Sequence, residues 1–126
     1  MIVLDASAAV ELLGDSAAGR KVMDRLRGER LLHAPHLLDL EVLSAFRRQL
    51  SLGSMDAERA GLGLTQFRSL RILRHPHHPY AARIWDLRDQ FTTYDACYLA
   101  LTEALGATLL TQDHSRRRGC GGAGLK

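Results

Sequence analysis

Two aspartates follow the two strongest strand candidates of the chain. The apolar run Ile2–Leu4 leads directly into Asp5, and the run Thr108–Leu110 is followed three residues later by Asp113. Because parallel strands end at the same edge of an open α/β sheet, where ligands bind, we expect both carboxylates to face one crevice. Aspartate is also a preferred helix N-cap, so helix capping is an equally good interpretation of either residue alone.

Two more carboxylates lie in predicted helices. Helical spacing surrounds Glu41 with leucine and alanine side chains, and a carboxylate in such a setting needs a partner or a cation because its desolvation is costly. An ion pair with Arg48 is the structural alternative. Asp95 lies three residues after Thr92 at a helix start, which resembles a capping box and alone favours a structural role.

Taken together, Asp5, Glu41, Asp95 and Asp113 favour a metal site. Two like charges about 4 Å apart repel by roughly 4 kcal/mol at an effective dielectric near 20, so such a cluster must hold protons or a cation. Oxygen ligands without a Cys/His set select Mg²⁺ or Mn²⁺, which with nearby arginines suits phosphodiester hydrolysis. If the acids are crowded, Asp5→Asn should leave the metal-free protein equally or more stable.

Composition restricts the class of protein. The 126 residues suit one domain, and 46% hydrophobic with 25% charged residues exclude wholesale disorder. The two cysteines, Cys97 and Cys120, are too few for a disulfide scaffold. The sequence contains no CxxC pair, which excludes a zinc ribbon. The net charge of +3 comes almost entirely from arginine, since Lys21 and Lys126 are the only lysines. Without a signal-like segment or a long apolar run, we expect a soluble, cytoplasmic protein.

Strand-like and helix-like segments alternate along the chain. The predicted strands lie at residues 2–4, 31–34, 71–74 and 107–111. The predicted helices begin at residue 6 and continue at residues 16–27, 36–50, 55–69, 80–91 and 94–105. This alternation predicts an α/β fold with a parallel sheet covered on both faces.

Other residues with chemical potential receive less specific interpretations. The histidine- and proline-rich residues 75–79 favour an exposed loop over a metal site. Cys97 and Trp85 are interpreted as core residues, and for Tyr94 burial is favoured over stacking on a base. The consecutive arginines at residues 116–118 are either a phosphate contact or a solvated tail.

Four segments of the chain carry a family resemblance. They are the N-terminal strand with Asp5, residues 35–48 around Glu41, residues 87–101 around Asp95, and residues 109–113. Together they resemble the PIN-domain ribonucleases, and more closely the VapC toxins of bacterial VapBC toxin–antitoxin pairs. The most specific part is the Thr-x-Tyr-Asp-Ala-x-Tyr-x-Ala-Leu block that contains Asp95. The resemblance extends over residues 1 to about 115.

The resemblance implies a single PIN-like α/β/α sandwich over residues 1–126 with a central parallel sheet. Residues 116–126 are rich in arginine and glycine and lack the family's last edge strand. It implies cleavage of RNA with Mg²⁺ or Mn²⁺, a cognate VapB-type antitoxin, a homodimer and no membrane association. It assigns catalytic roles to Asp5, Glu41, Asp95 and Asp113, and we expect the metal on Asp5 and Asp95.

Two other classes of protein compete with this reading. A phosphoacceptor receiver domain has a similar length, but it needs an acidic pair after the first strand and a late lysine, and no lysine lies between Lys21 and Lys126. The stronger alternative is a catalytically impaired PIN fold that only binds an antitoxin. Cleavage assays with and without Mg²⁺ separate this alternative from an enzyme.

Overall fold

A four-stranded parallel sheet forms the centre of the fold in the computed structural model, which describes residues 1–14 and 16–119. The strands are β1 (Ile2–Leu4), β2 (Leu32–Pro35), β3 (Ile72–His75) and β4 (Thr108–Leu110). Their order in the sheet is β3-β2-β1-β4, and each neighbouring pair is parallel. The predicted parallel sheet is therefore confirmed.

Helices connect the strands and cover the sheet. They are α1 (Ala6–Leu13), α2 (Ala17–Leu26), α3 (Leu37–Ser51), α4 (Ala57–Ser69), α5 (Ala81–Asp86), α6 (Thr93–Leu105) and α7 (His114–Gly119). The side chains of Ser16, Asp56 and Thr92 cap α2, α4 and α6 by accepting a backbone N–H. Gly106 ends α6 at a φ of 60°, a backbone conformation that favours glycine. Within the described residues no helix is both long enough and apolar enough to cross a membrane.

The core consists of two layers, one on each face of the sheet. Leu4 packs with Leu38 and Val42 in the layer under α1 to α4, whereas Val3 packs with Tyr98 in the layer under α6. Successive strand residues point to opposite faces, so a short strand contributes to both layers. The predicted α/β/α sandwich is confirmed.

A glycine inside α4 has a packing role. A Cβ atom at Gly63 would lie 3.0 Å from the ring of Phe46, so glycine allows the helix to approach α3 closely. This contact offsets part of the roughly 1 kcal/mol that glycine costs in a helix relative to alanine.

Several sequence expectations are wrong in detail. His75 belongs to β3 and not to a loop, and its ring lies beside His33 on β2. The helix predicted over residues 80–91 is interrupted, since α5 ends at Asp86 and turns follow. Trp85 on α5 is 66% exposed, with the Arg88 guanidinium 4.5 Å from its ring centre, and is not a core residue.

The start of the atypical tail is a helix, α7, which the sequence does not predict. Without an apolar stripe, the sequence gives no periodic signal for it. The expectations about the rest of the tail and about the family's last edge strand concern residues 120–126, which lie outside the described residues.

Candidate active site

The ends of β1 and β4 lie side by side at one edge of the sheet. The backbone N–H of Asp5 donates to the carbonyl of Leu110 at 3.2 Å. A cleft of about 410 Å³ opens above this edge, and its walls include Ser7, Glu11, Glu41, Ala45, Arg48, Asp113 and Arg116. Both strand-end aspartates thus lie at one edge of the sheet, but only Asp113 lines the cleft, since Asp5 is completely buried.

Asp5 is completely buried and uses its two carboxylate oxygens differently. Oδ1 accepts from the backbone N–H of Ala8 at 2.9 Å and from the Ser7 hydroxyl at 2.7 Å, which makes Asp5 the N-cap of α1. Oδ2 accepts from the hydroxyl of Thr111 and from Nη1 of Arg116, the latter at 3.0 Å. Asp5 therefore caps α1 and also forms an ion pair with Arg116, so its capping role does not exclude a further role.

One guanidinium group joins three of the candidate acids. Arg116 on α7 donates from Nε to Asp95 Oδ1 at 2.6 Å, from Nη1 to Asp5, and from Nη2 to Glu41 Oε2 at 3.2 Å. Its side chain is 7% exposed, and the guanidinium carbon lies 4.3 Å from the centre of the Tyr98 ring. Arg116 is therefore neither a solvated tail residue nor an open phosphate contact.

This arrangement resolves the structural alternatives for Glu41 and Asp95. The carboxylate of Glu41 pairs with Arg116, and no ion pair to Arg48 is present within the described part of the chain. Thr92 does accept from the backbone N–H of Asp95 at 3.2 Å, as in a capping box, but the Asp95 carboxylate is directed to Arg116. Both acids thus belong to the cluster.

Asp113 lies at the rim of the cleft and does not take part in the ion pairs of Arg116 that the described residues show. Its Oδ1 accepts from the backbone N–H of Ser115 at 2.8 Å at the start of α7. Its own N–H donates to the Thr111 hydroxyl at 2.9 Å. The structure therefore brings Asp5, Glu41 and Asp95 together and holds Asp113 beside them as a helix cap.

Sequence reasoning missed the two hydroxyl groups and the arginine that organise the cluster. Ser7 Oγ accepts from the backbone N–H of Gln112 at 2.8 Å and lies 3.2 Å from Thr111 Oγ1, so it joins the segments that follow β1 and β4. Ser7 and Thr111 both lie within three residues of a strand end. This position in the sequence could have identified them as candidate site residues. Arg116 had no such signal, because its burial depends on the rotation of a helix that the sequence does not predict.

The cluster remains negatively charged in spite of Arg116. Three carboxylates and one guanidinium carry a formal charge of −2. Burial disfavours the charged form of Arg116, but Asp5 and Glu41 outweigh this effect, and the pKa of Arg116 is raised above its usual value. Arg116 is thus a permanent cation at this site.

The side chains of two residues on α6 are buried next to the acids. Burial and the negative charge of Glu41 raise the pKa of Tyr98, and its hydroxyl, buried among the described residues, has no hydrogen-bond partner. Burial also raises the pKa of the Cys97 thiol to about 11, so this residue is a protonated core thiol, as predicted.

The carboxylates are the correct donors for a hard divalent cation, but the guanidinium takes the position between them. As these side chains stand, no set of three His, Cys, Asp or Glu residues in the described ranges is arranged to hold a metal ion. Arg116 is itself the cation that the crowded acids require. The expectation that Asp5→Asn stabilises the metal-free protein assumed uncompensated acids, and that assumption is wrong in this structure.

The sandwich and its acidic sheet edge define a class of protein. The family model described as the PIN domain matches residues 2–120, and the chain belongs to this family. Within it, the chain is 42% identical over 113 residues to the ribonuclease VapC12 of Mycobacterium tuberculosis, covering 90% of this chain and 87% of that protein. It is 40% identical over 112 residues to the ribonuclease VapC1 of the same organism, covering 88% and 84%. The chain is a VapC-type PIN domain, which confirms the resemblance.

Solved structures show the same architecture. The protein PAE2754 from Pyrobaculum aerophilum superposes with a TM-score of 0.75 at 27% identity, covering 98% of this chain and 81% of that one. VapC20 of Mycobacterium tuberculosis, described as a sarcin-ricin loop cleaving toxin, superposes with a TM-score of 0.72 at 14% identity over 96% of this chain and 95% of that one. The second likeness concerns the fold alone.

Proposed function

We propose that this protein is a divalent-metal-dependent endoribonuclease, the toxin of a VapBC-type pair. The observation that carries the proposal is that Asp5, Glu41 and Asp95 all pair with one cation, Arg116, beside a cleft at the sheet edge. Two buried acids and one partly exposed acid that share a cation fit the chemistry of phosphodiester hydrolysis. The relatives named as ribonucleases support RNA as the substrate.

The proposed roles of the acids follow their positions. Asp5 and Asp95, the more buried carboxylates, would hold Mg²⁺ or Mn²⁺, which would supply an activated water and neutralise charge on the phosphate. Hydrogen bonds from Ser7 and Thr111 fix the carboxylate of Asp5 before any ligand binds. Glu41, 22% exposed in the cleft wall, would orient this water together with Asp113 at the rim.

Tyr94 provides a surface for an RNA base. The sequence favoured burial, but Tyr94 is 60% exposed and lines a depression next to Glu41 and Ser44. Unstacked RNA bases commonly bind on aromatic side chains. We therefore assign Tyr94 to substrate binding beside the acidic cleft.

The proposed partner is a VapB-type antitoxin that places a basic C-terminal segment in the acidic cleft, against α3. Leu40, 67% exposed on α3, lies in the same depression as Tyr94 and offers an apolar contact beside the charged one. An arginine side chain suits a carboxylate cluster because it forms forked, charge-assisted hydrogen bonds. We also propose that the protein forms a homodimer. A measurement of its molecular mass in solution tests this proposal.

A cleavage assay tests the enzymatic proposal. Purified protein without antitoxin is incubated with structured RNA in Mg²⁺, in Mn²⁺ and in EDTA. We expect cleavage with either metal, silence in EDTA, and loss of most cleavage in Glu41→Gln. Glu11→Gln is a matched control, since Glu11 lines the same cleft but its carboxylate accepts from Ser16. Cleavage that persists in EDTA would exclude the metal mechanism.

The second candidate is a PIN-fold module that binds an antitoxin without cleaving RNA. The observation that favours it is the burial of Arg116 in the position that the metal requires. In this case the protein binds its antitoxin but cleaves no RNA, even with the metal at saturation.

A further inference from the structure

We propose that Arg116 is a built-in competitor for the divalent cation, so that the metal enters the acidic site only when the Arg116 side chain withdraws. The inference rests on the proposed function because it concerns the same carboxylates. It adds an inhibitory contact within the chain, made by the helix at the start of the atypical tail.

The contacts of Arg116 establish the competition. Each of its three guanidinium nitrogens donates to a different acid, at 2.6 Å to Asp95, 3.0 Å to Asp5 and 3.2 Å to Glu41. A metal ion held by the same oxygens would occupy the space between them, where the guanidinium lies. The two cations therefore exclude each other, which agrees with the absence of a metal-binding set among the described residues.

The arrangement also leaves the site unsatisfied in two respects. The cluster of three acids and Arg116 retains a formal charge of −2, which a divalent ion neutralises better than a single guanidinium does. The guanidinium lies over the ring of Tyr98, whose buried hydroxyl has no hydrogen-bond partner among the described residues, although buried polar groups are normally paired. In the proposal, the arginine-bound site is therefore one of two states, and the metal-bound site is the other.

In the proposal, Arg116 withdraws by rotation of its side chain while α7 stays in place. The neighbouring Arg117 donates from Nε and Nη2 to the carbonyl of Thr111 and holds α7 against the end of β4. Asp113 caps the same helix. The helix can therefore stay in place while Arg116 turns toward the cleft that it lines.

The competition has a measurable consequence. The apparent dissociation constant of a ligand rises in inverse proportion to the fraction of molecules in the competent state. If Arg116 is withdrawn in about one molecule in ten or fewer, its removal tightens metal binding at least about tenfold.

Manganese binding to the whole chain tests the inference without an activity assay. Mn²⁺ affinity is measured by calorimetry and by the loss of the free Mn²⁺ electron-spin-resonance signal, in the unmodified protein and in Arg116→Gln. Arg48→Gln is the matched control, because it removes one positive charge from the same cleft without touching the three acids. We expect Arg116→Gln to bind Mn²⁺ at least tenfold more tightly and Arg48→Gln to change the affinity by less than about threefold, as expected for a screened charge.

A second measurement uses the unmodified protein and remains valid if Arg116→Gln fails to fold. The ¹⁵Nε–H resonance of Arg116 is recorded during a titration with diamagnetic Mg²⁺. Ion pairing to Asp95 and the ring of Tyr98 give this resonance a distinct shift in the metal-free protein. We expect it to move toward the position of solvent-exposed arginines as Mg²⁺ binds.

The possible results separate this inference from the proposed function. Equal Mn²⁺ affinity in the unmodified protein and Arg116→Gln, an equal gain in Arg48→Gln, or an Arg116 resonance that ignores bound Mg²⁺ would each overturn the inference. Tighter Mn²⁺ binding in Arg116→Gln without RNA cleavage would support the inference and contradict the nuclease function. RNA cleavage by the unmodified protein, together with an unchanged Mn²⁺ affinity in Arg116→Gln, would contradict the inference and support the nuclease function.

Discussion

Asp5→Asn is the substitution for which the structure and the sequence make opposite predictions. From the sequence, removal of one crowded charge should leave the metal-free protein equally or more stable. In the structure, Asp5 Oδ2 accepts from Arg116 and from Thr111, and the variant replaces this oxygen with an NH₂ group. The hydroxyl of Thr111 and Nη1 of Arg116, which are hydrogen-bond donors, then face another donor. Arg116 also loses one of its three anionic partners.

The size of the effect follows from these contacts. A hydrogen bond to a charged group contributes about 1.5–3 kcal/mol, while Asn retains the capping bonds through its remaining oxygen. Glu41 and Asp95 still pair with Arg116, so the full penalty for breaking a buried ion pair does not apply. We expect a loss of about 1.5–3 kcal/mol in the free energy of unfolding, or roughly 5–12 °C in melting temperature for a chain of this size.

Urea and thermal denaturation in EDTA measure this loss. Asp56→Asn is the matched control, since Asp56 is an exposed N-cap that accepts from the backbone N–H of Arg59, and Asn caps about as well. An Asp5→Asn protein that is as stable as the unmodified one would refute the ion pairing of Arg116 in solution. An equal loss in both variants would show that capping, and not the ion pair, is responsible.

Two further predictions concern the rim of the site and the edge of the sheet. Asp113→Asn should change the free energy of unfolding by no more than about 0.5 kcal/mol, because Asn also caps α7. The same variant should cleave RNA more slowly. Cleavage at the full rate would show that the role of Asp113 is purely structural. Burial, and then the charges of His33 and His36, lower the pKa of His75, so the folded state resists its protonation. The melting temperature should therefore fall as the pH drops below about 6.5, the usual pKa of histidine. The variant His75→Gln should reduce this fall. An unchanged dependence of the melting temperature on pH in the variant would show that His75 is not its source.

The sequence predicted the sheet and the position of the acids well because both depend on local signals. A short apolar run such as Ile2–Leu4 can be buried only when both faces of the sheet are covered. Once the strands are parallel, Asp5 must emerge at the edge where Thr108–Leu110 also ends. The chemistry of the donor oxygens then follows from residue type alone.

The details that failed depend on tertiary packing of short elements. The rotation of α7 buries Arg116, and six residues without an apolar stripe do not reveal it. The strand β3 extends to His75 because its backbone pairs with β2, a partner distant in sequence. Trp85 is exposed because α5 is too short for its hydrophobic spacing to define a buried face.

If the proposed antitoxin segment enters the acidic site, the proposed role of Arg116 constrains how this segment can bind. An antitoxin arginine offers the same group as Arg116, so its entry exchanges one set of ion pairs for an equivalent set. Arg116 belongs to the chain and loses no translational freedom on pairing, whereas a separate peptide does. The acidic site alone therefore gives the peptide little net affinity. The affinity must come from contacts outside it, and the exposed side chains of Leu40 and Tyr94 beside the cleft supply apolar area for them.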